Sequence, residues 1–489
     1  SSSHMATHAS LGGLPMALPV RYRNVEKSPD EETPLRGSIT ADQLGEYYGL
    51  RWFHPLFVVI CMLLQVSAWS IISSTPYVLD DIRKEFGLAD GAAVMVTTSV
   101  FVGSIAGVVI IGNMGDLFGR RTCIAGCIMM ISLGSLLHLA IPSGGSSSFL
   151  LLVLLRGFLG LPYIGLTNIA LLYLIELFPD HVRGLAVSSA AFSWSISNVY
   201  CLYCVQVAQE ATLDWRVTLA LTPQITCLLG FLSLVWLPES PRWLLATGRN
   251  EEAQKTLDWL FKWSACYGSV YMGRSPTVTL EEDTFPSASE RVMVLKELFS
   301  PRMRMTTILS CTLYFLMAGS TNCIFTLGPQ MLSEVMSVNA PLSLFKQAEV
   351  SAMVGVLVTM LLIDSMGRRA LLVVSFCACS LFLLLLATGM QHEGMAHPRC
   401  FWIARAFFDA IAWATGIAYI SEVFPTGIRG TAMGLVLIAG RISSVLVPLG
   451  VGAVLRGHVF AMLVAFATVS ACLAALSFQL TETAGLPLK

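Results

Sequence analysis

From residue 53 onward the chain alternates long apolar stretches with short polar breaks. A helix needs about 20 apolar residues to cross roughly 30 Å of hydrocarbon, because each residue rises about 1.5 Å. Twelve stretches meet that length, near 53–79, 90–112, 122–141, 149–178, 184–209, 217–237, 304–331, 341–363, 369–389, 399–424, 430–456 and 458–480. One long polar interruption, from Pro238 to about Met303, divides them six and six. Within it, EEAQKTLDWLFKW at 251–263 is amphipathic and predicts a helix that straps the two groups together. Ahead of the first span, Thr40 to Tyr48 reads as a short helix along the inner membrane face, with Thr40 and Gln43 spaced as a capping box. Residues 1–36 open on SSSHM, which has the form of a cloning remnant, and mix charge, Pro and Gly, so disorder is expected there. The organisation that follows is all-α: a bundle of six transmembrane helices over 37–237, a cytoplasmic linker with short helices over 238–303, a second such bundle over 304–480, and a short tail at 481–489.

Composition agrees with a chain solvated by lipid. Of 489 residues, 55% are apolar and 12% charged, and mean hydropathy is +0.70, outside the range of soluble domains. The net charge of −1 gives no support for nucleic-acid binding. Thirteen cysteines are scattered mostly through apolar stretches, where cysteine behaves as a small hydrophobe. Cys201 and Cys204 form a C-x-x-C, but inside an apolar helix packing is the readier explanation than redox or metal chemistry. No N-x-S/T sequon, Walker loop, dinucleotide fingerprint, H-E-x-x-H or nucleophile elbow occurs, so neither an enzyme nor a cofactor or metal is expected. Basic residues cluster after the even-numbered spans, at Arg120, Arg121, Arg183, Arg242, Arg249, Lys255, Lys262, Arg302, Arg304, Arg368, Arg369 and Arg429. The alternate loops are nearly neutral, which puts both termini in the cytoplasm.

The second half restates the first, and it does so in charged residues that lipid would otherwise exclude. GNMGDLFGRR at 112–121 answers DSMGRR at 364–369, with Asp116 and Asp364 248 residues apart. Arg156 answers Arg405 at 249. YLIELFPDHVRG at 173–184 answers YISEVFPTGIRG at 419–430, which sets Glu176 opposite Glu422 and Arg183 opposite Arg429, each 246 apart. LPESPR at 237–242 is echoed more weakly by LTETAG at 480–485.

With these motifs the chain resembles the major facilitator superfamily along nearly its whole length, and LPESPRW narrows the likeness to the sugar porter and organic ion transporter group. GLRWF before the first span, the short loop after it, and the run from ARAFFD through SEVFPTGIRGTAMG to GRISS are similar to the organic ion transporter (solute carrier family 22) and synaptic-vesicle-type branch. The resemblance implies two pseudo-symmetric six-helix bundles and a monomeric carrier working by alternating access, with a plasma-membrane location expected over an organelle membrane. It also implies that Asp116, Arg120, Arg121, Glu176, Arg183, Glu239 and Arg242, with Asp364, Arg368, Arg369, Glu422, Arg429 and Glu482, form interhelical pairs that hold the cytoplasmic side shut and break when the halves rock. The plainer alternative is that these charges anchor loops and set topology. Gly115 and Gly367 are expected to permit close approach and sharp turns there.

Arg156 lies about 30 Å from the inner end of its helix at 1.5 Å per residue. Its counterpart in the other half favours an architectural role. Arg405 has Asp409 four residues on, close enough to pair. Residues that break the repeat are the substrate candidates, since a solute lacks the two-fold symmetry of its carrier. Arg441, whose counterpart is Ser195, lies about 18 Å beyond Arg429, near the midplane. An arginine there costs at least about 2.5–3.5 kcal/mol, so it should face a cavity or a carboxylate. In the organic ion branch a basic residue at this position resembles the anion-transporting members; the alternative is a buried pair with Asp409 or Glu349. Span one has no acid from Phe53 to Leu79, which weakens proton symport, while Glu349 and Asp409 stand either as protonation sites or as helix-end and ion-pair residues. Depth along each helix selects Gln65, Trp69, Tyr163, Asn168, Trp194, Asn198, Tyr314, Asn322 and Trp413 for a midplane pocket, whose rings and amides suit a small planar organic ion. The leading expectation is a carrier of an organic anion, such as a carboxylate vitamin or metabolite. A carrier of a neutral or cationic solute such as a sugar, and a transporter-like receptor or trafficking protein that moves nothing, are the alternatives.

Overall fold

The computed structural model describes residues 53–88, 90–178, 180–265, 296–336, 342–389, 398–454 and 458–483. The surface helix at Thr40 to Tyr48 and the segment 1–36 lie outside them. Among the described residues the long helices are α1 Phe53–Ser73, α2 Met95–Phe118, α3 Arg120–Leu136, α4 Ser146–Leu177, α5 Asp180–Glu210 and α6 Trp215–Ser233 in the first half. The second half has α7 Arg304–Met336, α8 Leu342–Met366, α9 Arg368–Gly389, α10 Pro398–Val423, α11 Thr426–Val454 and α12 Val459–Ser477. Among the described residues, eleven helices are long and apolar enough to cross a membrane. The exception, α5, has the length at 31 residues, but Ser193, Ser195, Ser197 and Asn198 are buried against other helices. Its composition answers to protein neighbours rather than to lipid.

The first span stops earlier than its hydropathy. Ser70, Ser74 and Thr75 turn their hydroxyls back to the carbonyls of Ser67, Ser70 and Ile71 at 2.8, 3.1 and 3.1 Å. Pro76 then removes a backbone donor, so the helix tightens into a 3₁₀ turn over Thr75–Tyr77. A short helix, Leu79–Phe86, follows and ends at Gly87 with φ 61°.

Packing repeats under a shift of six helices. α2 lies on α4 as α8 lies on α10; α1 on α5 as α7 on α11; α3 on α6 as α9 on α12; α1 on α6 as α7 on α12. Two seams join the halves, α2 with α11 and α5 with α8, and these exchange under the same shift. Small residues make the closest crossings. A Cβ on Gly103 would sit 1.7 Å from the Gly157 carbonyl oxygen, and one on Gly160 2.1 Å from that of Val100; in the other half a Cβ on Gly355 would sit 2.5 Å from that of Phe407. Where lipid offers no hydrophobic drive for helix association, such contact supplies the dispersion energy that holds the bundle.

Between the halves, Ser240 accepts from the Trp243 amide at the start of a helix over Pro241–Ala246. The amphipathic segment forms the helix Asn250–Ala265. Its Ala253, Leu257 and Leu260 are buried and it packs on the Pro241–Ala246 helix and on α1. Within the described residues it is thus seated on the first half.

Candidate functional site

Each half carries one ionic cluster, at the end where α2 meets α3 and α8 meets α9. In the first half Arg120 sends Nη2 to Glu176 at 2.9 Å and Nη1 to Asp116 at 3.0 Å and to the Gly115 carbonyl at 2.7 Å. Its backbone amide donates to Glu239 at 2.8 Å, and Ser240 donates to Glu176. In the second half Arg368 reaches Glu422 with Nε and Nη2, both at 2.9 Å, and the Ile363 carbonyl with Nη1 at 3.1 Å. Its amide donates to Glu482 at 2.9 Å, and Thr483 donates to Glu422 at 2.8 Å. Among the described residues the weak echo LPESPR and LTETAG is therefore structural, in that Glu239 and Glu482 seat the starts of α3 and α9. Both turns need glycine: Gly119 has φ 92° and Gly367 φ 84°, and a Cβ would lie 2.5 Å from Glu239 or 2.7 Å from Glu482. Gly119, rather than Gly115, is the partner of Gly367. Each of these pairs joins helices of the same half. The Arg121 amide also donates to Glu239, at 3.2 Å, and the Arg369 amide to Glu482, at 3.1 Å, while Arg242 lies in the Pro241–Ala246 helix. The side chains of Arg183, Asp364 and Arg429 lie outside the described residues.

Among the described residues, contacts between the halves occur at midplane and at the opposite end. There Lys346 of α8 donates to Gln206 of α5 and lies 3.8 Å from the Tyr203 ring centroid. Gln330 donates to Asp80 at 3.3 Å, and Tyr77 meets Phe345 edge-on at 5.5 Å. The same end holds a second ionic knot, in which Arg216 binds Glu85, Asp214 at 2.9 Å and the Ile141 carbonyl at 2.8 Å. Trp215 Nε1 adds a 2.6 Å bond to Glu85. Arg156 is 1% exposed and donates to the Ile71 carbonyl at 2.8 Å, to the Val96 carbonyl at 3.4 Å and to Thr75. It ties α4 to α1 and α2.

A cavity of about 230 Å³ lies between the halves. Nine of the residues expected there line it: Gln65, Trp69, Asn168, Trp194, Tyr314, Asn322, Asp409, Trp413 and Arg441. Tyr163 and Asn198 do not. Tyr163 is fully buried behind Arg441, and Asn198 faces the α5–α8 seam. Counting residues along a helix fixes height but leaves azimuth free, and these two sit at the right height on the wrong face. Aromatic rings form part of the walls: Trp69 stands edge-on to Trp194 at 4.7 Å, Trp194 meets Phe325 across the halves at 5.2 Å, and Tyr314 meets Trp413 at 5.6 Å.

Polar groups are fixed by neighbours. Ser193 donates to Gln65 at 2.6 Å, and Asn322 donates to Ser444 at 3.0 Å. Trp413 Nε1 donates to Thr321, which donates to Asp409, each at 3.1 Å, and Asp409 pairs with Arg405 at 3.6 Å. Arg405 lies 4.9 Å from the Trp402 ring centroid. Arg441 is 9% exposed, donates to the Tyr163 hydroxyl at 3.1 Å and lies 5.9 Å from the Phe101 ring centroid. Its Nε has no acceptor. Among the described residues it forms no salt bridge, so the pair with Asp409 or Glu349 is not made. Of the thiols in question, Cys201 is buried and free and Cys204 half-buried and free.

Sequence comparison fits this duplicated architecture: residues 56–489 match the sugar (and other) transporter family. The chain belongs to that family. Relatives within it include an arabinose-proton symporter of Bacillus subtilis, 26% identical over 70% of this chain and 73% of its own length. A synaptic vesicle 2-related protein of Bos taurus is 28% identical over 78% and 70%. Solute carrier family 22 member 7 of Sus scrofa is 28% identical over 72% of this chain and 61% of its own. Among solved structures, the inward-open xylose transporter XylE of E. coli, a major facilitator protein, superposes with a TM-score of 0.70 at 18% identity, covering 89% of this chain and 98% of that one. This transporter family accounts for the membrane-embedded twelve-helix plan and for a function in moving small molecules rather than catalysis. Sequence reasoning missed Thr321, Thr167 and Ser444 as lining residues. Short hydroxyl side chains are common helix-packing groups, and no spacing signal separates those that face a cavity.

Proposed function

We propose that this transporter moves a small organic anion by alternating access. The observation that carries the reading is Arg441, a nearly buried guanidinium on the cavity wall that forms no salt bridge among the described residues. Leaving such a charge without a counterion is costly in a low-dielectric bundle, and an anionic solute removes that cost when it binds. Tyr163 and Phe101 hold the guanidinium in place from behind, and the aromatic walls receive an apolar body. The duplicated clusters mark the end where the halves part and rejoin, and the basic loops assign that end to the cytoplasm.

Reconstituted vesicles containing only this protein test the proposal with labelled aliphatic and aromatic carboxylates. Uptake is expected from parent protein and is abolished by Arg441→Ala, with folding checked by thermal melting. Transport of carboxylates that survives Arg441→Ala defeats the anion reading. Loss on Glu349→Gln or Asp409→Asn, with Arg441→Ala still active, supports a carrier of cations. Absence of any uptake favours a receptor or trafficking protein.

A further inference from the structure

The repeat makes the two seams comparable position by position. At the offset of 248 that maps Asp116 on Asp364, Phe101 of α2 answers Glu349 of α8; at the offset of 246 that maps Arg183 on Arg429, Ser195 of α5 answers Arg441 of α11. One seam therefore carries a cation over a ring, Arg441 above Phe101. Its symmetry mate carries a carboxylate, Glu349, facing Asn198. Both charges line the same cavity, and neither forms a salt bridge among the described residues. Arg405, next along the wall from Glu349, is engaged with Asp409 and stacked on Trp402. Glu349 stands 17 residues from the end of α8 at Met366 and Arg441 15 residues from the start of α11 at Thr426. At 1.5 Å per residue both lie roughly 22–26 Å from the cluster end. Opposite charges thus lie at similar height on the walls of one cavity.

A solute bearing only a negative charge satisfies Arg441 and leaves Glu349 with the Asn198 amide and an Arg405 charge that is shared with Asp409. We propose that the solute is bipolar: a small organic zwitterion whose anionic group docks on Arg441 and whose ammonium group docks on Glu349, with its body against Trp69, Trp194 and Trp413. This rests on the reading of Arg441 as the anion site. Glu349 then sets specificity, and the seam-to-seam span sets the distance between the solute's charges. A bridging ligand also ties α8 to α11 through contacts that neither single-charge analogue makes.

Binding to the purified full chain by calorimetry compares 4-(aminomethyl)benzoate with 4-methylbenzoate and 4-methylbenzylamine, and adds a series of ω-aminoalkanoates to read charge spacing. The bipolar probe of matching span is expected to bind about tenfold more tightly than its single-charge analogues. Glu349→Gln should erase the advantage of the bipolar probe over its carboxylate analogue, and Glu349→Asp should keep part of it; melting of each variant without ligand monitors folding. If no bipolar probe outbinds its matched carboxylate, or if Glu349→Gln preserves the preference, the zwitterion assignment is overturned. Dependence of 4-methylbenzoate binding on Arg441 separates that failure from failure of the anion reading, which would leave binding insensitive to Arg441→Ala.

Discussion

Arg156 and Arg441 are both nearly buried arginines, and they differ in what surrounds the guanidinium. Arg156 spends its donors on the carbonyls of Ile71 and Val96 and on Thr75, whereas Arg441, which lines the cavity, has one bond to Tyr163 and a buried Nε without an acceptor. Arg156→Met should therefore lower stability by about 1–3 kcal/mol, the cost of orphaned buried acceptors, read as a fall in melting temperature. Arg441→Ala should melt close to the parent and lose ligand-induced stabilisation instead. Outside the spans, hydrogen bonding from Arg216, aided by Trp215, holds the Glu85 carboxyl below its ordinary value. A lowered folded-state value means that this stabilisation is present above the unfolded carboxylate value and is lost as pH falls through the lowered one. Glu85→Gln should thus melt below the parent near neutral pH, with the gap closing as pH drops beneath about 4. A gap that stays constant with pH would rule out the ionic part of that knot. No pattern in the sequence joined Glu85 to Arg216, 131 residues away; only the fold brings them together.

At the scale of elements, two glycine turns govern how each half is locked. Gly119 and Gly367 adopt left-handed backbone and touch the carboxylates of Glu239 and Glu482. Gly119→Ala and Gly367→Ala should each cost about 1–2 kcal/mol from backbone strain alone, plus displacement of the carboxylate that seats α3 or α9. Gly112→Ala, with nothing within 4 Å of the added methyl, serves as the neutral comparison in the same melting assay. The MG-containing motifs were legible as a repeat, and the offset of 248 maps Gly367 onto Gly119. That both carry a positive φ and touch a carboxylate was visible only in the fold. The end of α1 was likewise misjudged by hydropathy, because back-bonding hydroxyls and Pro76 ended the helix inside an apolar run.

For the molecule as a whole, the proposed alternating access requires the two seams to move, and Lys346 with Gln206 and Tyr203 bridges one of them. A Gln206→Cys, Lys346→Cys pair joined by a short bifunctional thiol reagent should hold the halves in this arrangement and stop uptake in vesicles, with release by a reducible version of the linker restoring it. Continued transport after complete cross-linking would show that this end need not open.

Apolar length and the recurrence of Asp, Glu and Arg at a near-constant offset determined the span plan, the pseudo-symmetric halves and the family, because lipid tolerates charge only where another helix answers it. Height along each helix was also legible, since rise per residue is constant, and most of the residues it selected line the cavity. Azimuth, partner and pairing state were decided by tertiary structure. Rotation of a helix about its axis costs nothing in composition, so only packing settled that Tyr163 backs Arg441, that Asp409 is taken by Arg405, and that Arg441 and Glu349 face one cavity from symmetry-related seams.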